Sequence, residues 1–232
     1  MKKFNVVAII PARAGSKGLK NKNFKKLNGI PLISHTIEAA KQSKLINEII
    51  ISTDYSQINK ICNQHGIKIN RLRPKNLSRD DSRIEDVILD LLKNSIDKIP
   101  DILIILQPTS PIRKIKNIDK SIQILIEKQF SSVIEINRVK NHPEKMLRKR
   151  GEVVEPFFKK LEISKRRQDL EDIFYPTGSI FVFWTKVLLE KKSIFGNKIG
   201  FVEGLMENID IDDKVDFFFA EMLLKYFKNY KI

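Results

Sequence analysis

The sequence predicts a three-layer α/β domain built on a mainly parallel sheet. Three observations carry this. Short apolar runs rich in Ile and Val recur along the chain. Segments with the 3.6-residue apolar period of helices lie between them. The runs are apolar at successive rather than alternate positions, as strands covered on both faces are. Right-handed crossovers between such strands place helices on both sides of one sheet.

Residues 6–10, Val-Val-Ala-Ile-Ile, read as the first buried strand. Residues 33–42 follow as a helix, with Ile33, Ile37 and Ala40 on one face. Residues 48–52 contain Ile49-Ile50-Ile51, a second strand that ends at Thr53-Asp54. Residues 57–64 form a short helix with Ile58, Ile61 and Cys62 inward, closed by Gly66. Residues 67–70 are expected to be a third strand. Residues 84–94 read as a helix carrying Val87, Ile88, Leu91 and Leu92, and residues 102–106 as a fully apolar strand. Residues 118–128 are helical on Ile118, Ile122 and Leu125, and residues 132–136 return to strand. Residues 137–175 break the rhythm. They are highly charged, with a candidate hairpin at Arg150-Gly151, and read either as a disordered insert or as an arm whose apolar spots, Val153-Val154 and Phe157-Phe158, pack on a second subunit. Strands follow at 179–184 and 198–202. A helix over 214–226 closes the chain, with Val215, Phe218, Met222, Leu223 and Tyr226 near one face.

The 232 residues suit one domain with a full core. The chain is therefore read as a single unit, 1–232, with 137–175 as its arm. Hydrophobic residues make up 42%, which excludes a disordered tail. No apolar run is long enough for a leader or a spanning helix, so no membrane partner is expected. The lone Cys62 excludes an internal disulfide and a cysteine-built zinc site, and a reducing cytoplasm is the expected location. The formal net charge is +15, from 43 Lys+Arg against 28 Asp+Glu. Such a balance can serve nucleic acid or small polyanionic substrates such as nucleoside triphosphates. The cations are scattered, without the aromatic platforms or basic arms of nucleic-acid modules. Compositional bias and attraction of triphosphates are the expected meaning, and no nucleic-acid partner is expected.

In open parallel sheets, ligands bind beyond the carboxyl ends of the strands. Three polar segments follow strand ends here: residues 11–23, residues 52–54 and residues 107–113. The first reads Pro11-Ala12-Arg13-Ala14-Gly15-Ser16-Lys17-Gly18, then Lys20, Lys22 and Asn23. Its two glycines let backbone N–H groups turn toward an anion. Arg13 can clamp phosphate oxygens in two-pronged fashion, and Lys17 and Lys22 add point charges. The spacing does not match the Walker loop, and by itself it fits a solvated basic loop equally well. The third segment sets Gln107, Thr109 and Ser110 in a turn stiffened by Pro108 and Pro111. It offers donors and acceptors for a base edge or a sugar, or is a plain turn. Near the C-terminus stands Ile209-Asp210-Ile211-Asp212-Asp213. In extended chain Asp210 and Asp212 share a face, suiting an ion such as Mg²⁺ that takes one or two carboxylates plus phosphate oxygens. Helix capping is the other reading of these acids, with Asp213 favoured as the cap and Asp210 and Asp212 as ligands.

Together and in this order, these segments resemble the CMP-sialic acid synthetases, or acylneuraminate cytidylyltransferases. The matching residues are Ile9 to Arg13, Ser16 to Leu19, Lys22-Asn23, Asn28 to Leu32, Ser52-Thr53-Asp54, Arg73-Pro74, Leu106 to Pro111 with Arg113, His142-Pro143 with Lys145, Arg166 to Leu170, Pro176 with Gly178, and Asp210-Ile211-Asp212. The resemblance covers nearly the whole chain. It implies a nucleotidyltransferase (Rossmann-like) fold, a homodimer with exchanged arms, Mg²⁺ with Mn²⁺ as an alternative ion, CTP, and an acidic nine-carbon sugar as acceptor. It also implies that Arg13, Ser16 and Lys22 contact the triphosphate, with the rest of the loop (Ala12, Ala14, Gly15, Lys17) around them. Asn23 would lie near cytosine or ribose and Arg73 at the base. Gln107 would bind the acceptor, with Thr109 and Ser110 close by and His142, Lys145 and Arg167 near it. Asp210 and Asp212 would bind metal. Arg13, Lys22 and Asp212 are the expected catalytic residues. One departure stands out: many relatives read Arg-Pro-Asn-Gly-Ala where this chain reads Tyr175-Pro176-Thr177-Gly178-Ser179. The acceptor's identity therefore turns on Thr177, Ser179 and the arm. Three rivals remain: transfer of CMP to Kdo or a related octulosonate, use of UTP or GTP, and a basic nucleic-acid-binding protein on the same scaffold.

Overall fold

A computed structural model describes residues 3–15, 18–69, 71–158, 166–205 and 208–230. The elements run β1 (Val6–Pro11), β2 (Lys26–Leu27), β3 (Ile30–Pro31), α1 (Leu32–Lys41), β4 (Glu48–Ser52), α2 (Asn59–Gln64), α3 (Ile84–Asn94), β5 (Ile102–Leu106), α4 (Lys116–Lys128), β6 (Ser132–Arg138), β7 (Leu147–Arg150), β8 (Val153–Pro156), β9 (Phe174–Trp184), α5 (Thr185–Lys191), β10 (Ile199–Glu203) and α6 (Lys214–Tyr230).

Six strands form the central sheet in the order β10-β6-β9-β5-β1-β4. The β4–β1–β5 and β6–β10 ladders are parallel; β9 runs antiparallel between β5 and β6. The sheet is therefore mainly parallel, with one reversed strand that the sequence pattern did not distinguish. β1 shows why its residues are apolar without a break. Val6, Ala8 and Ile10 pack with Ile33 and Ile37 of α1 and Ile118, Ile122 and Leu125 of α4. Val7 and Ile9 face the other way, against Ile88, Leu91 and Leu92 of α3 and Leu188 of α5. Two helical layers thus enclose the sheet.

A third cluster joins Leu19, Leu27, Leu32, Ile211 and Ala220. It fastens the loop after β1, the β2–β3 hairpin, the 209–211 segment and α6 to one another. The hairpin turns on Asn28 and Gly29, at φ 51 and 82. Positive φ at both central residues is the Asn-Gly hairpin signature, which the sequence carries openly.

The strand expected at 67–70 does not form over residues 67–69, and Asn70 lies outside the described residues. The Ile67 N–H instead donates to the Cys62 carbonyl and finishes α2, and the sheet ends at β4. The hairpin expected at Arg150-Gly151 is present as β7–β8, with all eight strand residues exposed.

Candidate active site

Two of the three strand-end segments, 11–23 and 107–113, line one cleft of about 680 Å³; the third, 52–54, supports the first from beneath without lining the cleft. Arg13, Lys22, Asn23, Arg73, Gln107, Thr109, Asp210 and Asp212 all line it.

The loop after β1 is held from beneath. The Ala12 N–H donates to the Ser52 carbonyl (2.8 Å), and the Ala14 N–H donates to Asp54 Oδ1 (2.8 Å). Asn23 Nδ2 donates to the Arg13 carbonyl (3.1 Å). Arg73 is tied to the same strand end, through Nε to Ser52 Oγ (3.0 Å) and Nη2 to the Ser52 carbonyl (2.7 Å). Burial pushes its pKa down to about 10, with Asp54 opposing and Arg13 adding to the shift. It stays cationic at neutral pH. Arg13 pairs with Asp80 at 2.6 Å. Arg13, Lys22, Arg73 and Arg79 thus share the cleft with Asp80, Asp210, Asp212 and Asp213.

The acidic side is built by alternation. Ile211 is buried and its N–H donates to the Thr109 carbonyl (2.8 Å), while Asp210 and Asp212 on either side open outward. Lys22 Nζ donates to the Ile211 carbonyl (2.6 Å) and to Asp212 Oδ1 (3.1 Å). Partial burial raises the Asp210 pKa; the Thr109 hydroxyl lowers it and the neighbouring Asp212 raises it. A side chain at Gly18 would collide with the Asp212 carbonyl, so the loop and the acidic segment touch through backbone. Asp213 is the cap of α6: its Oδ1 accepts from Val215 N–H (2.7 Å) and Asp216 N–H (2.9 Å).

Other expected site residues stand elsewhere. Ser110 is fully buried beneath the turn. Thr177 is buried and donates to Glu135 Oε1 (3.0 Å), so its hydroxyl is spent inside the fold. His142 caps a short 3₁₀ turn through Nδ1, which accepts from the Glu144 N–H (3.2 Å), and its Nε2 lies 3.0 Å from the Glu171 carbonyl. Lys145 is exposed in that turn, on the arm. Gly15 is exposed; Ser16, Lys17 and the side chain of Arg167 lie outside the described residues. His35 hydrogen-bonds the Leu27 carbonyl and His65 sits between Glu38 and Ser34; none of the three histidines lines the cleft. Sequence reasoning missed Arg79, Asp80 and Ser82, which also line it. Their signal was the cluster Ser78-Arg79-Asp80-Asp81-Ser82 just before α3.

This sheet, with its cleft at the strand ends, has the fold of nucleotidyltransferase-type structures. A solved CMP:2-keto-3-deoxy-manno-octonic acid synthetase in complex with CTP shares the fold, with a TM-score of 0.72 at 16% identity over 96% of this chain and 99% of that one. The chain belongs to the cytidylyltransferase family, whose model matches residues 7–225. It is 35% identical over 227 residues to the CMP-N,N'-diacetyllegionaminic acid synthase of Legionella pneumophila, covering 95% of this chain and 96% of that protein. It is 33% identical over 214 residues to the N-acylneuraminate cytidylyltransferase of Streptococcus agalactiae serotype V, covering 91% of this chain but 51% of that protein. The chain thus spans about half the length of that second relative. Among the described residues, no helix is long and apolar enough to cross a membrane.

Proposed function

We propose that this protein transfers CMP from CTP to the anomeric hydroxyl of a nonulosonic acid of the sialic or legionaminic kind, releasing pyrophosphate. The observation that carries the reading is the cleft itself: a cationic loop lies against a carboxylate pair, with Lys22 bonded to Asp212, and Gln107 and Thr109 line the same cleft. The two full-length or partial relatives named above act, by their names, on acceptors of this class.

Arg13 and Lys22 would grip the triphosphate, with Ser16 and Lys17 from the same loop. Arg13 would exchange Asp80 for phosphate oxygens. Arg73, anchored on Ser52, and Asn23 would face the nucleoside. Gln107 and Thr109 would orient the acceptor so that its hydroxyl lies in line with the α-phosphorus. Holding two reactants in this way removes much of the barrier to phosphoryl-type transfer. Asp210 and Asp212 fit Mg²⁺: two adjacent hard oxygen donors, with the remaining positions left to phosphate and water. Bound there, the ion, or Mn²⁺ in its stead, would neutralise phosphate charge and make the attacking hydroxyl more acidic. His142, Lys145 and Arg167 belong to the arm, and in a homodimer they would serve the partner's cleft. A reducing cytoplasm would supply CTP.

The test is pyrophosphate release with CTP across neuraminic, legionaminic, pseudaminic and octulosonic acids. Release with a nonulosonic acid is expected; release with octulosonic acids alone would move the assignment to them. Asp212→Ala should cost about 3 kcal/mol in kcat/KM, the scale of a lost preorganised charge group. Wild-type turnover in that variant would remove Asp212 from the metal site. Chelation should stop the reaction, and added Mg²⁺ restore it.

A further inference from the structure

One buried cation has no part in the scheme above. Arg113 is 8% exposed, yet it keeps its charge: burial lowers its pKa only to about 10, with the carboxylate of Glu135 opposing the shift. Its contacts are specific. Nη2 donates to the Gln107 carbonyl (2.6 Å) and to the Ser110 carbonyl (2.8 Å), bracing both ends of the 107–110 turn. Nε donates to Ser179 Oγ (3.2 Å) on β9. Ser179 follows Gly178, which stands at φ 77; a side chain there would meet Gln107 Oε1 and Asp210 Oδ2. The same turn accepts the Ile211 N–H on its Thr109 carbonyl (2.8 Å), and Ile211 separates Asp210 from Asp212. Around this cation, Glu135 accepts from Thr177 Oγ1 (3.0 Å) and Asn117 Nδ2 (3.1 Å), and Thr177 Oγ1 accepts from the Ser179 N–H (3.2 Å).

We infer that Arg113 is a positioning residue for the transfer: its buried guanidinium fixes the 107–110 turn against β9, and thereby sets Gln107 and the Asp210–Asp212 segment at the spacing the acceptor needs. This rests on the acceptor reading of Gln107 given above. The planar fork matters because it reaches three acceptors on two elements from one rigid group; an ammonium is a point charge that cannot span them. The loop that would grip the triphosphate is held by Ser52 and Asp54 through the Ala12 and Ala14 N–H groups, and it also meets the 211–212 segment through Lys22 and Gly18. Thr177 and Ser179 act through this network from beneath the cleft rather than by touching the sugar.

Arg113→Lys tests the inference. The expected result is a rise in acceptor KM and a fall in kcat of about tenfold to a hundredfold, the cost of displacing a reacting group by about 1 Å. The CTP dissociation constant should rise by clearly less than the acceptor KM, because the Ala12 and Ala14 contacts to Ser52 and Asp54 persist and only Lys22 and Gly18 follow the 211–212 segment. Ser179→Ala, which keeps the buried charge, should shift acceptor KM in the same direction by less. Amide hydrogen exchange gives a reading that needs no turnover: the Ile211 N–H should exchange about tenfold faster in Arg113→Lys, and the Ala12 N–H at its wild-type rate. Wild-type acceptor KM and wild-type Ile211 exchange in either folded variant would overturn the inference. Equal losses in CTP and acceptor binding would overturn it too, since they would mark a general role in stability. If the wild type turns over no nonulosonic acid, the function assigned above fails, while the exchange measurement still decides whether Arg113 holds the turn.

Discussion

Gly18 is where the cationic loop meets the carboxylate segment, and its missing side chain is what lets them meet. Any Cβ there runs into the Asp212 carbonyl, a backbone atom that cannot swing aside. Gly18→Ala should therefore push the loop off the 210–212 segment. Overpacking of this kind costs about 1–3 kcal/mol. Lys22, which reaches the Ile211 carbonyl and Asp212, would lose its register. The expected outcome is a CTP dissociation constant weaker by about tenfold or more, read by titration calorimetry; unchanged affinity would separate the loop from the nucleotide. Single residues were legible in the sequence where local rules apply. The i, i+2 spacing of Asp210 and Asp212 needed only an extended backbone to put both outward around buried Ile211. Thr177 was not legible, because its partner is Glu135 on β6, brought near only by the β6–β9 ladder. Its departure from the relatives' pattern suggested a sugar contact, and the fold turns it into an interior one.

At the scale of elements, α6 begins with a reciprocal cap. Asp213 accepts from the Val215 and Asp216 N–H groups, and Asp216 Oδ2 accepts from the Asp213 N–H (3.1 Å) and the Asp212 N–H (2.9 Å). This is the capping-box arrangement with Asp in place of Glu. It orders the start of the helix and steadies the backbone of Asp212. Asp213→Ala should destabilise the protein by about 1 kcal/mol, lowering Tm by roughly 2–4 °C for a chain of this size. Asp213→Asn should preserve most of it; equal losses in both would argue that charge, not the cap, is what matters. The α/β rhythm was readable because strands buried on both faces leave unbroken apolar runs. Two features were not. The reversal of β9 leaves no mark in a strand buried among neighbours. The apolar face read on α6 proves open: Val215, Phe218, Met222 and Tyr226 are exposed, and Ala220, with Phe217 and Leu224 beside it, is what packs inward. An apolar stripe gives the helix but not which of two neighbouring faces finds the core.

That open face has a counterpart on the arm. Val153 and Val154 are 65% and 64% exposed, and Phe157, Phe158, Phe174 and Tyr175 are exposed as well. Two-stranded hairpins are marginal alone, and β7–β8 has no buried strand residue to hold it. Large exposed apolar patches on a globular chain mark contact surfaces. The proposed homodimer would give this hairpin a partner surface, and would bring the exposed Lys145 toward a second cleft. The net charge of +15 sharpens the point: chains so alike in charge repel, so a stable pair needs apolar contact to overcome that repulsion. Sedimentation should therefore give a dimer whose dissociation depends little on salt, or which tightens as salt screens the repulsion. Val153→Lys with Val154→Lys should yield monomers that keep the fold, because neither side chain touches the core. Those monomers should bind CTP as before, since Arg13, Lys22 and Arg73 are anchored within one chain, but release far less pyrophosphate with a saturating nonulosonic acid. A monomeric double variant with wild-type turnover would show that each cleft is complete in one chain. A wild-type protein that sediments as a monomer while fully active would remove the arm from catalysis altogether.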